Sequence, residues 1–394
     1  MALNDFRVEF DNAYQDVFQK ALVAKSIMNT RFESKLKFGQ SVTRVAYDFS
    51  GVIVRDVTRG NASTIDVVTD TTELLTINLE KEAVFHVSDG ELTQAGPLNP
   101  GEVIGGQIAL KVALDLDARC FAEVVNATYK FDNGDLATMV SSGTPITLSS
   151  TTVPQLTTRM SAKLKRNANQ EVMTNMVFVI DAYGASDIEQ YMLGKNIDLM
   201  GTVFKNGFAG PIRGADLYVS ENLTGEFALT TTGVFSDGET VIVNGVTFTA
   251  KTVLGATAGN FLIGASAAVS LTNLTALINA PLVTTANGVA LSAANAEVVG
   301  KWSASTTATV MTVVMKGSGR PIIAETAANA SVVAFIHAYY GKKGAIDLVV
   351  QDVSPVDMRP TADRRGTNVF SSYLAGIKTF ADGIIKFLDV KITA

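Results

Sequence analysis

The stretch from Asn99 to Ala127 constrains this chain more than any other. Asn99 can accept from the first free N–H groups of a helix. Pro100 has its φ preset for the first turn, and Glu102 follows Asn99 by three residues, as in a capping box. Gln107, Lys111, Asp115, Arg119 and Glu123 then recur at intervals of four, giving one polar stripe whose alternating charges can pair along it. Ile108, Val112, Leu116, Cys120 and Val124, with Leu110, Ala113, Leu114, Phe121 and Val125, cover most of the remaining surface. At ~1.5 Å per residue this is a rod of about 40 Å. A rod with one wet stripe needs other elements laid along it.

Its flanks differ in character. Residues 11–29 have a helical pattern, with Tyr14, Val17, Phe18, Ala21, Leu22, Lys25 and Met28 on one broad face. This helix is either an arm that docks elsewhere or a first core helix. Residues 39–92 change to period two, most clearly Leu75, Ile77 and Leu79 against Thr76, Asn78 and Glu80. They read as a long two-stranded excursion turning at Arg59-Gly60-Asn61-Ala62-Ser63. A long hairpin is only marginally stable alone, so it needs a partner surface.

Beyond the rod, Asp132-Asn133-Gly134-Asp135 reads as a turn that lacks the remaining ligands of a calcium loop. Residues 153–168 form a helix with Leu156, Met160 and Leu164 inward and Arg159, Lys163, Lys165 and Arg166 outward. A strand over 172–180, a short helix over 185–193 and a glycine-rich turn over 206–214 lead into a strand at 215–220. The glycines there do not cradle phosphate, because no Gly-Lys-Ser/Thr follows and no helix opens.

From 225 to 328 charges become rare and Thr, Ala, Val and Gly dominate. Asn244-Gly245 between two apolar runs is a strong hairpin signal, and 270–280 reads as a helix. This segment is expected to be a small β-rich domain with its own core, inserted into a parent domain and able to fold alone. Strands are expected at 332–340, 345–353, 367–379 and 383–392, with a charged loop of mixed sign at 355–366.

Composition closes several routes. A net charge of −6 argues against a dedicated nucleic-acid binder. No apolar run approaches the ~20 residues that span a bilayer. The first residues lack a basic region followed by an apolar one, so no signal peptide is expected, the Asn-x-Ser/Thr triplets read as chance, and the chain reads as cytosolic in origin. Cys120, the only cysteine, excludes an intrachain disulfide framework and a multi-cysteine zinc site. His86 and His337 are the only imidazoles, and neither has a nucleophile or acidic motif beside it, so both read as strand residues. Cys120 lies on the apolar side of the rod as a buried small hydrophobe. Asp115 and Asp117 point to different helix faces and form no carboxylate pair. No catalytic residue, cofactor or metal site is expected, and the chain reads as a non-enzyme.

The order of elements is informative: arm helix, long β excursion, long helix, α/β region, inserted β segment, then a charged loop between long strands. It resembles the major capsid (coat) protein of tailed bacteriophages, with the Hong Kong 97 fold. The likeness is carried by Gly39-Gln40-Ser41-Val42, by Leu75-Thr76-Ile77-Asn78-Leu79, by the helix from Glu102, by the run from Phe204 through Gly214 to Ser220, and by Gly376-Ile377-Lys378-Thr379-Phe380. The insertion is similar in position to the insertion domain of Salmonella short-tailed-phage coat proteins. The resemblance implies an α+β fold with an N-arm at 1–37 and an extended loop at 38–98. A peripheral domain with its spine helix would comprise 99–130 and 341–379. An axial domain would comprise 131–224, 329–340 and 380–394, with the insertion domain at 225–328.

The same resemblance implies self-assembly as hexamers and pentamers into an icosahedral head that encloses double-stranded DNA without reading its sequence. Only a short arm precedes the extended loop, so a separate scaffolding protein is expected. A portal and a decoration protein are further partners, a membrane is not, and the place is the virion capsid, assembled in the host cytoplasm. Lys81 matches no crosslinking motif. Arg364 and Arg365, with Arg359, Asp357 and Asp363, are expected to make an intersubunit contact near local three-fold positions, against Asp66, Asp70 or Glu73 of a neighbour. The alternative is another virion protein, of tail or decoration type. An enzyme with a site in the insertion is a third class, disfavoured by the lack of a clustered nucleophile and base.

Overall fold

The structure is a computed structural model, and it describes residues 3–33, 41–48, 52–56, 65–88, 100–167, 174–193, 208–212, 214–360 and 365–393. In chain order, helix α1 (Leu3–Ala21) and the single turn α2 (Ala24–Ile27) precede strands β1 (Ser41–Asp48), β2 (Thr69–Thr76) and β3 (Leu79–Val87). Helix α3 (Pro100–Ala122) follows and tightens into a 3-10 turn at Glu123–Asn126. Then come β4 (Tyr129–Phe131), α4 (Asn133–Ala137), α5 (Thr152–Asn167), β5 (Met176–Ile180), α6 (Ala182–Leu193), β6 (Phe208–Ile212) and β7 (Ala215–Val219). The charge-poor segment holds β8 (Thr224–Thr231), β9 (Thr240–Val243), β10 (Val246–Lys251), β11 (Asn260–Leu262), α7 (Ala267–Asn279), α8 (Ala293–Val299), β12 (Trp302–Thr307), β13 (Val310–Met315) and β14 (Ile323–Glu325). The chain closes with β15 (Ala330–Lys342), β16 (Asp347–Pro360), β17 (Thr367–Lys378) and β18 (Phe387–Thr393).

Two compact units result, one of residues 1–19, 27–112 and 344–385, the other of 20–26, 113–343 and 386–394. In the first, β16, β17 and β3 form an antiparallel sheet in that order. Along β17, Thr367, Val369, Ser371, Tyr373 and Ala375 are buried while the residues between them are not, as a half-covered sheet requires. Phe10, Tyr14 and Phe18, one turn apart on α1, stack at 6.1 and 5.8 Å, and Phe10 stacks on Phe85 of β3 at 5.8 Å. Phe10 and Tyr14 have no exposed surface, so this helix packs in its own chain as a core helix does. Gly105 makes the approach possible: a Cβ there would lie 2.6 Å from the Phe10 carbonyl oxygen.

The ribbon β1–β2 runs in register from Ser41 opposite Thr76 to Asp48 opposite Thr69. Its base is anchored by Leu75 and Ile77, which pack with Phe32, Val349 and Phe380. The expected turn at 59–63 lies outside the described residues.

In the second unit a nine-stranded sheet is built around β15. Residues 330–337 of β15 pair with β8 and residues 339–342 with β5, both antiparallel, while β18 pairs with 335–341 along the opposite edge. Strand β5 is buried at every position, because it has a neighbour on each side and is covered on both faces. The charge-poor segment adds a four-stranded sheet, β11-β10-β9-β14. Asn244 and Gly245 take φ of 48° and 81° in the expected tight turn, and Val243 faces Val246 across it. Phe227, Phe248, Phe261, Leu271, Leu274 and Val313 build a core for this segment. That core is completed by Ala330, Val332 and Ala334 of β15, past the expected edge at 328.

Several expectations need correction. The glycine-rich turn at 206–214 contains strand β6, which folds back on β7. Asp132 to Asp135 is a helix start: the Asp132 carboxylate accepts from the Gly134 N–H, and the Asp135 carboxylate accepts from the Asp132 N–H. Lys163 points inward, because the fully buried Asp135 carboxylate takes it at 2.6 Å. Leu110 and Leu114 of α3 are 37% and 39% exposed, so the wet face of the rod is broader than its polar stripe. The last strand starts at Phe387, since residues 381–385 form a turn closed by the Gly383 N–H on the Phe380 carbonyl at 2.8 Å.

Candidate functional site

The expected charged loop at 355–366 is strand for its first half. Strand β16 runs on to Pro360, and Asp357, Met358 and Arg359 face Phe370, Val369 and Asn368 of β17. Two bulges, between Val350 and Asp352 and between Ser354 and Asp357, keep this mixed-sign stretch in the ladder and bend it. Arg359 holds Asp357 at 2.7 Å and lies over the Phe370 ring at 5.0 Å. Arg365 is exposed. Asp363 and Arg364 lie outside the described residues.

The acidic residues expected as partners sit on or beside the ribbon. Asp66 accepts two parallel hydrogen bonds from Arg55, both 2.7 Å, and one from the Ile53 N–H at 2.9 Å. The Arg55 guanidinium first, and that N–H second, hold the carboxyl below its usual range. Glu73 accepts from the Ala381 N–H at 3.1 Å through both oxygens. Asp70, opposite Tyr47, is exposed and has no ion-pair partner among the described residues. Within this chain, then, Asp66 and Glu73 are each engaged close to home, while Asp70 faces water.

Around them apolar side chains stand in the open, on β1 and on the stretches 52–56 and 65–68 beyond the strand ends. Val45 is 45% exposed, Tyr47 63%, Ile53 60%, Val54 99%, Ile65 89% and Val67 75%. Such a patch on a soluble surface marks a place where something else docks. The outer face of the β16-β17-β3 sheet adds a cleft of about 480 Å³, lined by Glu80, Glu82, Asp357, Arg359 and Phe370 among others. Glu80 and Glu82 had no signal in the sequence beyond β-strand alternation.

The residues capable of chemistry are engaged structurally. His86 Nδ1 lies 2.9 Å from the Asn368 side-chain oxygen. His337 is buried, with Nδ1 2.8 Å from Asp389 and Nε2 3.0 Å from Glu226. Lys130 reaches Asp389 at 3.0 Å. Burial alone lowers the His337 pKa, but the two carboxylates outweigh it and raise the net value. This network joins β8, β15 and β18, and nothing in the sequence places Glu226 near Asp389.

Asp117 is fully buried and accepts from the Val23 and Ala24 N–H groups, both at 3.0 Å. Burial raises its pKa to about 7 against the pull of those N–H groups and of Asn222. Asp115 pairs with Arg119 at 2.9 Å on the other side of the helix, so the two carboxylates are apart. Cys120 is buried, and burial, with the charges of Asp117 and Glu123, pushes its thiol well up, away from a reactive thiolate. Among the described residues no group of His, Cys, Asp and Glu could hold a metal ion. No described helix is long and apolar enough to cross a membrane.

No protein-family model matches this chain, and no curated protein does. Among solved structures, it is similar to a chain described as Mycobacterium phage Che8, with a TM-score of 0.50 and 13% identity over 93% of this chain and 90% of that one. A chain from the capsid of Cyanophage P-SCSP1u gives a TM-score of 0.47 at 10% identity, over 95% and 88% of the two chains. One from the capsid of Ralstonia phage GP4 gives 0.45 at 9%, over 95% and 89%. At such identities the likeness is one of fold. The mixed helix-and-sheet fold built up above is therefore one that this chain shares, along nearly its whole length, with a chain from a bacteriophage.

Proposed function

We propose that this chain is the major capsid protein of a tailed bacteriophage. It is a structural protein without catalytic activity, packed as hexamers and pentamers into an icosahedral head around double-stranded DNA. The observation that carries the reading is the ribbon β1–β2, anchored at its base by Leu75 and Ile77, together with the stretches beyond its strand ends, where Val54, Ile65 and Val67 are exposed. An isolated two-stranded ribbon with that surface is stable only when another surface covers it. A second copy of the chain supplies that surface in a closed shell. In this reading residues 38–98, which hold the ribbon and β3, are the extended loop, α3 the spine helix, β16 and β17 part of the peripheral domain, and the charge-poor segment the insertion domain. Arg359, Arg364 and Arg365 engage a neighbour's Asp70, with Asp66 and Glu73 flanking it. Scaffolding, portal and decoration proteins are the further partners, and the virion is the site of action.

Electron microscopy of the purified protein tests the reading. Closed shells support it, tubes point to a tail protein, and a stable monomer with turnover overturns it. Deleting residues 57–66 should leave a folded chain that forms no shells. Particles of normal size from that variant would show that the ribbon is not the contact.

A further inference from the structure

Where β12 begins and β13 ends, two lysines stand across from each other. Trp302 pairs with Met315, and one step beyond, the Lys316 N–H donates to the Lys301 carbonyl at 3.4 Å. Like charges opposed across a β pair repel. Both lysines are exposed, and neither has an ion-pair partner among the described residues, although Glu297 lies four residues before Lys301. Their side chains line a cleft of about 270 Å³. Arg119, Asp115 and Ser303 line it too. Three cations and one carboxylate therefore meet here, in a chain whose net charge is −6. The single carboxylate is already held by the Arg119 Nε–H at 2.9 Å. The wall also contains Trp302, 6% exposed, whose indole N–H has no acceptor among the described residues. The cleft is thus rich in donors and positive charge and short of acceptors.

We propose that this cleft binds a phosphate-class oxyanion between Lys301, Lys316 and Arg119. The anion relieves the repulsion of the opposed lysines, and charge-assisted hydrogen bonds from ammonium and guanidinium hold it. The Ser303 hydroxyl stands on the same wall as a further donor. A monocarboxylate would satisfy the three cations less well than a phosphate dianion. The phosphate is either free or esterified in a nucleic-acid backbone, and its chemistry at the cleft is the same.

Trp302 is the only tryptophan in the chain, so its emission reports on this cleft. The full chain is titrated with inorganic phosphate at an ionic strength held constant with chloride, and phosphorus NMR line width is followed in parallel. A saturable change in emission or line width is expected. The double variant Lys301→Gln with Lys316→Gln should weaken it about tenfold or more, since two charge-assisted contacts are lost. Both side chains are exposed, and circular dichroism checks that the variant keeps its fold. A short single-stranded oligonucleotide forms the second arm. Displacement of phosphate by it assigns an esterified occupant, and no displacement assigns a free one. The proposal is overturned if neither signal departs from the chloride control, or if the folded double variant binds phosphate as tightly as the parent.

Discussion

The ribbon β1–β2, with the stretches beyond its strand ends, and the charge-poor segment from β8 to β14 both carry apolar side chains on strands, and they dispose of them in opposite ways. In the segment, Phe248, Phe261, Leu271 and Leu274 have no exposed surface, and strand β10 alternates buried positions with half-buried or exposed ones. A second layer explains this: α7 covers one face, so every inward side chain finds a neighbour in its own chain. The ribbon has two strands, and among the described residues Val54 and Ile65, beyond its strand ends, stay open. A sequence pattern of period two reports that a face is apolar. It does not report whether the cover comes from the same molecule. Stability should therefore reside in the segment and association in the ribbon.

That division can be broken most sharply in the segment's core. Phe248→Ala removes a fully buried ring and should cost about 3–5 kcal/mol, lowering the thermal midpoint of the whole chain by circular dichroism. An unchanged midpoint would mean that the segment is not part of the cooperative core.

The next effect is one of pH, at the root of the segment. The folded pKa of His337 lies above its ordinary value of 6.5, so the folded state holds a proton that the unfolded state has lost. Its contribution is fully present below 6.5 and is lost as pH rises through the raised value. Asp389 is held low, because His337 and Lys130 outweigh the burial that would raise it; its contribution is lost at the acid end, as pH falls through that value. Melting temperature should thus decline on the alkaline side, and His337→Gln should flatten that decline. A variant that keeps the parental alkaline slope would remove His337 from the account.

The smallest expected effect on stability is in the stretches beyond the ribbon's strand ends. Val54→Ser combined with Val67→Ser alters two side chains that are 99% and 75% exposed, and should leave the melting temperature unchanged within error. Shell yield by sedimentation should nevertheless fall. A marked loss of thermal stability in the unassembled protein would show that the ribbon is covered by its own chain.

The sequence by itself determined the elements whose signals are local. Pro100, the four-residue spacing from Gln107 to Glu123 and the Asn244-Gly245 pair specify a helix and a turn through backbone geometry, without reference to distant residues. The element order, with the resemblance it carried, likewise came from the chain alone. Tertiary structure decided the rest. The polar face of its helix places Lys163 outward in sequence, and only the buried Asp135 carboxylate, 28 residues away, turns it inward. The end of β16, residues 355–360, reads in sequence as part of a charged loop, whereas β17 continues the ladder past two bulges to Pro360. Glu226, His337 and Asp389 lie on three strands and meet only because β15 pairs with β8 along one edge and β18 along the other. Helices and tight turns are set by neighbours in sequence, so they can be read there. Ion pairs, clefts and covered faces are set by neighbours in space, and one sequence does not say which those are.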